Sequence, residues 1–423
     1  MSEPPFAARR WWYVLPIAFL TYSLAYLDRA NYSMAAAAGM AEDLKITKET
    51  SALIGSLFAL GYCVFQVPGV AYAQRHNVKQ LVFICLLLWG IFASLTGMVS
   101  GVPGLLVIRF GLGVAEAAVF PAMLVYVSTW FTSAERSRAN AFLIIANPVT
   151  VLWMSVVSGY LTQAVGWRWM FILEGLPTVV WAFIWWWAAC EEPAKAKWLT
   201  GAEKLKMADL LRQEQANVKV LKNYREAFRS PAVILLCWQY FFWSVSFFGF
   251  LLWLPSILRD GSHLGIVQTG WLSSLPYLLA IIVLPVVSYF SDKTRRRRLC
   301  VWSCLLVGAL GFVGLYLVGT ANFWLSFVLL TVTGAAMYAP YGAFWAIIPE
   351  ILSRNVAGGA MALINSIGAL GAFVGGYAVG FLTGATGNPT SSFLLMAGAL
   401  FVTVALTLLI PIPRMGSSAA GQS

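Results

Sequence analysis

"EEPAKAKWLTGAEKLKMADLLRQEQANVKVLKNYREAFRS", Glu191 to Ser230, is the one long polar segment in a chain otherwise dominated by apolar residues. It carries nine Lys or Arg residues and a helix-prone composition. Six apolar runs precede it and six follow. They cover 11–38, 50–73, 79–99, 103–130, 136–164 and 168–190 on the first side, and 231–259, 266–291, 298–318, 322–350, 356–383 and 389–412 on the second. Each is long enough to carry a helix across about 30 Å of hydrocarbon. The expected architecture is an all-α polytopic membrane protein of twelve transmembrane helices. It divides into a six-helix bundle over 1–190, a cytoplasmic linker with short helices over 191–230, and a second six-helix bundle with a short cytoplasmic tail over 231–423.

Composition removes the main alternatives. At 60% hydrophobic and 11% charged residues, the chain falls far below the roughly 25% charged residues of a soluble domain. Helix is the only open-ended structure that satisfies its own backbone in lipid, and the runs are too long for barrel strands. Pro68, Pro121, Pro148, Pro255 and Pro285 inside them would argue against helix in water but are ordinary in membrane helices.

Charge gives the expected orientation. The N-terminus and the even-numbered loops hold 22 Lys or Arg residues, whereas the opposite loops hold Lys45, Lys48, Arg168 and Arg259. The positive-inside rule then puts both termini in the cytoplasm, with the protein multi-pass in a plasma membrane, the inner membrane if bacterial. The net charge of +11 is a topology signal and not a nucleic-acid footprint. The first run lacks a small-residue cleavage site and reads as the first span rather than a signal peptide. Six dispersed cysteines read as packing residues, and neither a metal nor a cofactor is expected.

The two halves echo one another. "GVAYAQRHNVK" after the second span matches "SYFSDKTRRRR" after the eighth, and "AERSRANAF" before the fifth resembles "PEILSRNVAGGAMA" before the eleventh. Such echoes point to duplicated bundles that rock around a midplane site.

The chain resembles a major facilitator superfamily transporter throughout its length. The loop "SDKTRRRR", Ser291 to Arg298, is similar to that superfamily's signature, which implies a conformational role for Asp292, Lys293 and Arg295. The first-half copy has Gln74 where an acid is usual. "YLDRANYSMA", "RFGLGVAEAAVFP", "GWRWMFILEGLP", "WLPSIL", "GAFWAIIPE" and "ALINSIGALGAFVGG", in this order, resemble the anion:cation symporter family, whose members move organic anions such as sugar acids.

Away from helix ends the spans contain few ionisable residues: Asp28 and Arg29 in the first, Arg109 and Glu116 in the fourth, Glu174 in the sixth. A charge at the bilayer centre costs about 3 kcal/mol, so four uncompensated ones would cost about 12 kcal/mol. They must pair or face water. Arg109, Gly113 and Glu116 follow i, i+4, i+7 spacing and share one helix face. Two arginines in a low-dielectric cavity make a fork for a carboxylate, and two carboxyls there can take up protons. The resemblance implies the same roles: Arg29 and Arg109 for substrate carboxylate or gating, Asp28 and Glu116 for proton coupling. His76 and His263 both fall in expected loops, which leaves the acids as proton carriers. Sodium stays open as a coupling ion. Glu174 reads as part of a structural clamp with Arg168 and the neighbouring aromatics.

The second half offers no charge within its spans, so its contribution is expected to be polar and aromatic. Family positions give Tyr341, Trp345 and Asn365 there, with Tyr26, Tyr62 and Asn147 from the first half, each weighed against a plain core role. Tyr341 and Gly342 depart from the small polar residues usual in sugar-acid members. The sequence contains no nucleophile elbow, P-loop, paired-histidine motif or nucleotide fingerprint, so no enzyme is expected. The reading is a monomeric importer of a small organic anion by proton symport and alternating access, the anion being a sugar acid (aldonate, uronate or aldarate). An aromatic or small hydroxy acid is the alternative, and a proton-antiport exporter of drugs or metabolites the second.

Overall fold

The computed structural model describes residues 5–75, 77–131, 139, 142–216, 230–262, 264–294, 296–319, 321–351, 354–387 and 390–410. Among them regular structure is helical throughout. The first six passes are α1 (Pro5–Ala35), α2 (Lys48–Arg75), α3 (Val78–Thr96), α4 in two pieces, α4a (Val102–Glu116) and α4b (Val119–Trp130), and a single long helix, Ala146–Ala188. That last helix bends at Gly166, whose φ of 80° and ψ of 165° suit a residue without a β-carbon, into α5 before the bend and α6 after it. The second six are α7 (Pro231–Ser262), α8 (Ile266–Thr294), α9 (Arg297–Val318), α10 in two pieces, α10a (Phe323–Tyr338) and α10b (Tyr341–Ile351), α11 (Arg354–Thr386) and α12 (Thr390–Leu409). Eight described stretches are by themselves long and apolar enough to cross a membrane.

Helix ends follow their local sequence. Asn77 accepts from the Gln80 N–H at 3.0 Å to start α3, and Asn322 does the same for Leu325 at 3.1 Å to start α10a. Exposed tryptophans sit near helix ends on both faces, Trp12 and Trp187 at one and Trp169, Trp271 and Trp324 at the other, forming the aromatic belts of a membrane protein.

Two faces can be distinguished by the loops they carry. On the face with the even-numbered loops, the Arg10 guanidinium donates to the Trp130 carbonyl at 2.8 Å, satisfying the end of α4b. Arg298 does the same for the Ile410 carbonyl beyond α12 at 3.1 Å. The linker docks here: Trp198, just before the helix Gly201–Ala216, stacks on Tyr13 at 4.8 Å and against Trp130 at 5.3 Å, and Arg10 donates to the Met207 sulfur of that helix at 3.6 Å.

On the face with the odd-numbered loops, first-half helices press against second-half helices. Gly376, Gly380 and Gly384 form a stripe on α11 that receives Ser56, Ala52 and Glu49 of α2. Gly159 of α5 lies against the Ile266 carbonyl and Val267 of α8, and Gly270 of α8 against the Ser155 carbonyl of α5. Small residues permit this approach, since any β-carbon would collide with its neighbour. Lys48 and Asp260 add an exposed ion pair at 4.0 Å between α2 and α7. Every inter-bundle bond or glycine contact recorded among the described residues lies in this half of the molecule or at its middle, so the odd-loop face is closed.

Candidate functional site

The fourth and tenth passes lose regular helical hydrogen bonding at corresponding places, with Ala117, Ala118 and Ala339 keeping right-handed helical dihedrals through these joints. Helix α4 stops at Glu116, turns through Ala117 and Ala118, and restarts at Val119. Pro121 has no N–H to give the Ala117 carbonyl, which is a local reason for the break. Helix α10 stops at Tyr338, turns through Ala339 and Pro340, and restarts at Tyr341. Interrupted helices at matching positions in two halves mark the binding level in transporters of this kind.

The charged candidates lie on the first-half side. Arg109 is only 1% exposed, with its guanidinium over the Tyr32 ring at 4.8 Å and the Phe58 ring at 5.6 Å. The Tyr32 hydroxyl donates to the Ser51 carbonyl at 3.0 Å, which fixes that ring. Part of the packing around Tyr32 comes from the other bundle: Leu252 of α7 packs against the apolar cluster that contains Tyr32, and a β-carbon at Gly55 would lie 2.9 Å from both Leu252 and Tyr32. Glu116 is likewise 1% exposed, at the end of α4a, within electrostatic reach of Cys85 on α3. The face shared by Arg109, Gly113 and Glu116 is turned to α2. A β-carbon at Gly113 would meet the Phe58 carbonyl and stand 3.0 Å from the Tyr62 nitrogen, so the space there serves a neighbouring helix and not a ligand. In this conformation neither charged group opens onto the space between bundles. Asp28 and Arg29 lie in α1, but their side chains fall outside the described residues, as do that of Asp292 and the whole of Arg295. His76 and His263 also fall outside the described residues.

The aromatic candidates do come together. On α7, Tyr240, Trp243 and Phe247 follow i, i+3, i+7 spacing, and on α10 Tyr338, Tyr341 and Trp345 repeat it across the break. Tyr341 meets Trp243 at 4.7 Å, Phe247 at 5.8 Å and Tyr338 at 6.1 Å between ring centroids. Trp345 and Phe344 flank Tyr240 at 5.4 and 5.2 Å. Gly368 of α11 leaves room for the Tyr240 ring edge. From the first half, Tyr26 lies near enough to Tyr341 to act on it electrostatically, and its hydroxyl shares a hydrogen bond with Tyr22 at 3.1 Å. Asn147 accepts from the Tyr338 hydroxyl at 3.3 Å across the bundles. Tyr62 is buried beside Phe58 on α2, one layer toward Arg109. Asn365 is half-buried next to Ser366, which donates to Gln66 of α2 at 3.1 Å.

One expectation needs correction. Glu174 does not join Arg168 in a clamp. It is buried, accepting from Ser158 of α5 at 2.7 Å, while Arg168 sits 4.1 Å over the Trp167 ring and 3.7 Å from Asp43. Trp167 completes that outer clamp by donating to Asp43 at 2.8 Å. In the "SDKTRRRR" loop, Lys293 is exposed over Tyr289 at 5.9 Å, and the side chains seen holding the loop are Arg297, bonded to Ser291 at 3.1 Å, and Arg298. Sequence reasoning also passed over Tyr240, Trp243, Phe247 and Tyr338. Their i, i+3, i+7 repetition was the available signal.

Twelve helical passes around an inter-bundle site, closed at one face by helix-on-helix contact, define a multi-pass membrane transporter. The Major Facilitator Superfamily model matches residues 18–376 and again 263–422, and the chain belongs to that family. A relative from Agrobacterium vitis, provisionally named a tartrate transporter, is 28% identical over 94% of this chain and 89% of its own length. A quinolone resistance transporter from Acinetobacter baumannii is 27% identical over 94% and 93%, and a hexuronate transporter from Bacillus subtilis 25% over 93% of each. Among solved structures, a bacterial homolog of the human lysosomal transporter Spinster, inward-facing and occupied, shares the fold. Its TM-score is 0.73 at 17% identity, over 97% of both chains.

Proposed function

We propose that this protein imports an organic carboxylate by proton symport through alternating access, as a monomer with its odd-loop face outward and both termini in the cytoplasm. One observation carries the reading. A buried arginine and a buried carboxyl lie seven residues apart on a helix that breaks at the binding level, where α10 breaks also. An intramembrane charge is costly enough to be functional by default.

In this mechanism Arg29 and Arg109 receive the substrate carboxylate, or gate its approach, and Asp28 and Glu116 carry the protons. Closure of the odd-loop face packs Leu252 against the cluster of Tyr32, the ring on which Arg109 lies. Withdrawal of α7 would uncover it. Tyr26, Tyr62, Asn147, Tyr341, Trp345 and Asn365 supply the remaining contacts, and the Asp292–Arg295 loop takes part in the switch. The family resemblance and the relatives named for tartrate and hexuronate support a sugar acid, with an aromatic or small hydroxy acid as the alternative. A drug or metabolite exporter by proton antiport is the second alternative, but it has no need of cavity arginines.

The test is uptake of labelled organic acids into proteoliposomes under an imposed pH gradient. Accumulation should require the gradient, and Glu116→Gln should abolish accumulation while sparing exchange. Accumulation driven by a sodium gradient alone would replace protons as the coupling ion. Efflux of cationic or neutral compounds without carboxylate uptake would overturn the reading in favour of an exporter.

A further inference from the structure

Resting on the carboxylate reading, but taking its aromatic alternative over the sugar acid that the relatives' names support, we infer that the central site selects a carboxylate carried on a planar aromatic ring. The second-half wall is made of rings. Tyr240, Trp243, Phe247, Tyr338 and Phe344 are all buried at 6% exposure or less, whereas Tyr341 and Trp345, one helical turn apart, are half-buried. Tyr341 touches the α7 rings and lies within electrostatic reach of Tyr26 of α1, so this half-buried ring sits where the two bundles adjoin. Together with Trp345 it presents ring surface to a ligand at the level of the α10 break.

Four pairs of polar groups nearby are already engaged with one another. Tyr240 shares a bond with Tyr341 at 3.5 Å, Tyr22 with Tyr26 at 3.1 Å, Tyr338 with Asn147 at 3.3 Å and Ser366 with Gln66 at 3.1 Å. A sugar acid brings four or five hydroxyls that each need a partner once desolvated, and binding it would break these bonds in exchange. A flat ring needs none of them. It gains edge-to-face or offset contact with Tyr341 and Trp345, the geometry the resident rings already use. The negative faces of those rings repel a carboxylate, so the acid end must point to the first half, where all the intramembrane arginines lie. One ligand geometry satisfies both walls: carboxylate toward α1 and α4, ring toward α7 and α10.

The test is binding to the purified full-length protein, read as thermal stabilisation. The probes are benzoate and 4-hydroxybenzoate, the neutral isostere benzamide, and gluconate and galacturonate. Benzoate-type acids should stabilise and benzamide should not. Trp345→Leu should weaken their binding roughly three- to tenfold, the worth of one ring contact, and Trp345→Phe should recover most of it. Gluconate or galacturonate binding without benzoate would overturn the inference and leave carboxylate transport standing. Benzamide binding as well as benzoate would overturn both, as would a panel in which no acid binds. Equal benzoate affinity in Trp345→Leu and the native protein would remove this wall from the site.

Discussion

Replacing Gly270 by alanine tests whether the odd-loop seam sets the balance between conformations. Gly270 sits on α8, and the three atoms nearest to a β-carbon there all belong to α5 of the opposite bundle: the Ser155 carbonyl oxygen at 2.5 Å, its carbon at 3.3 Å and the Val156 Cα at 3.4 Å. Every obstacle is backbone, so no rotamer change relieves it. Ordinary contact begins at 3.4 Å, and the seam must open by about 0.9 Å to accept the methyl group. Overpacking of this kind costs about 1–3 kcal/mol. Because the obstacle exists only when the bundles touch, the whole cost falls on the closed conformation and shifts the equilibrium toward the open one by roughly 5- to 150-fold.

The assay places one cysteine at Ser56, on the distant α2–α11 side of the same face, in a protein whose six native cysteines have been replaced. Ser56 is 3% exposed while the face is closed. A membrane-impermeant thiol reagent should label it slowly in the parent and faster, by the same factor, in Gly270→Ala. Alanine is also the better helix former by about 1 kcal/mol, which predicts a small gain in thermal stability if the seam plays no part. Raised stability with unchanged labelling would therefore refute the reasoning.

Arg109→Lys removes a flat guanidinium that lies on two rings, and should weaken substrate carboxylate binding about tenfold or more by titration; unchanged affinity would separate Arg109 from the site. Tyr338→Phe deletes the donor to Asn147 and should lower stability by about 1–3 kcal/mol, read as a fall in Tm. The linker helix starts with a capping box. Glu203 accepts from the Thr200 N–H at 2.7 Å, and that bond holds its carboxyl below the ordinary 4.5. A depressed folded pKa means the cap is intact above the unfolded value and is lost as pH falls through the folded one. Amide exchange across residues 201–204, corrected for intrinsic rates, should quicken below pH 4.5, and Glu203→Gln should remove that pH dependence.

The twelve passes were legible because membrane crossing imposes one crude requirement, apolar length, and the polar segment from Glu191 to Ser230 interrupts it once. The breaks in α4 and α10 were visible only as Pro121 and Pro340. A proline in a membrane helix is so often absorbed without a break that neither marks one alone. The spacing of Arg109, Gly113 and Glu116 correctly gave a shared face, but spacing does not say what the face meets. Here it is the α2 backbone, because Gly61 and Gly113 both lack the β-carbons that would hold the helices apart. Glu174 was misplaced for a related reason. Proximity in sequence favoured Arg168, whereas the bend at Gly166 aims Arg168 outward to Asp43 and leaves Glu174 facing Ser158 across the hairpin of α5 and α6. The aromatic wall was hidden by abundance: with aromatics at 15% of the chain, no single ring stands out until α7 and α10 lie side by side.

The partition of residues between halves bears on how such a molecule can switch. Within the spans, away from their ends, every Asp, Glu, Lys and Arg belongs to the first half. Had the acids and arginines been divided between bundles, each transport cycle would have to separate buried opposite charges, a cost of several kcal/mol per pair. The recorded seam instead uses glycine contacts, two neutral hydrogen bonds, from Tyr338 to Asn147 and from Ser366 to Gln66, and one exposed ion pair, Lys48 with Asp260. Neutral bonds contribute about 0.5–1.5 kcal/mol each and an exposed ion pair about 0–1 kcal/mol. A ligand must supply about 5.5 kcal/mol of differential affinity to carry a two-state equilibrium from 1:99 to 99:1. The two hydrogen bonds and the ion pair recorded among the described residues together stay below that figure, so the differential binding of one small ligand and its coupled proton can outweigh them.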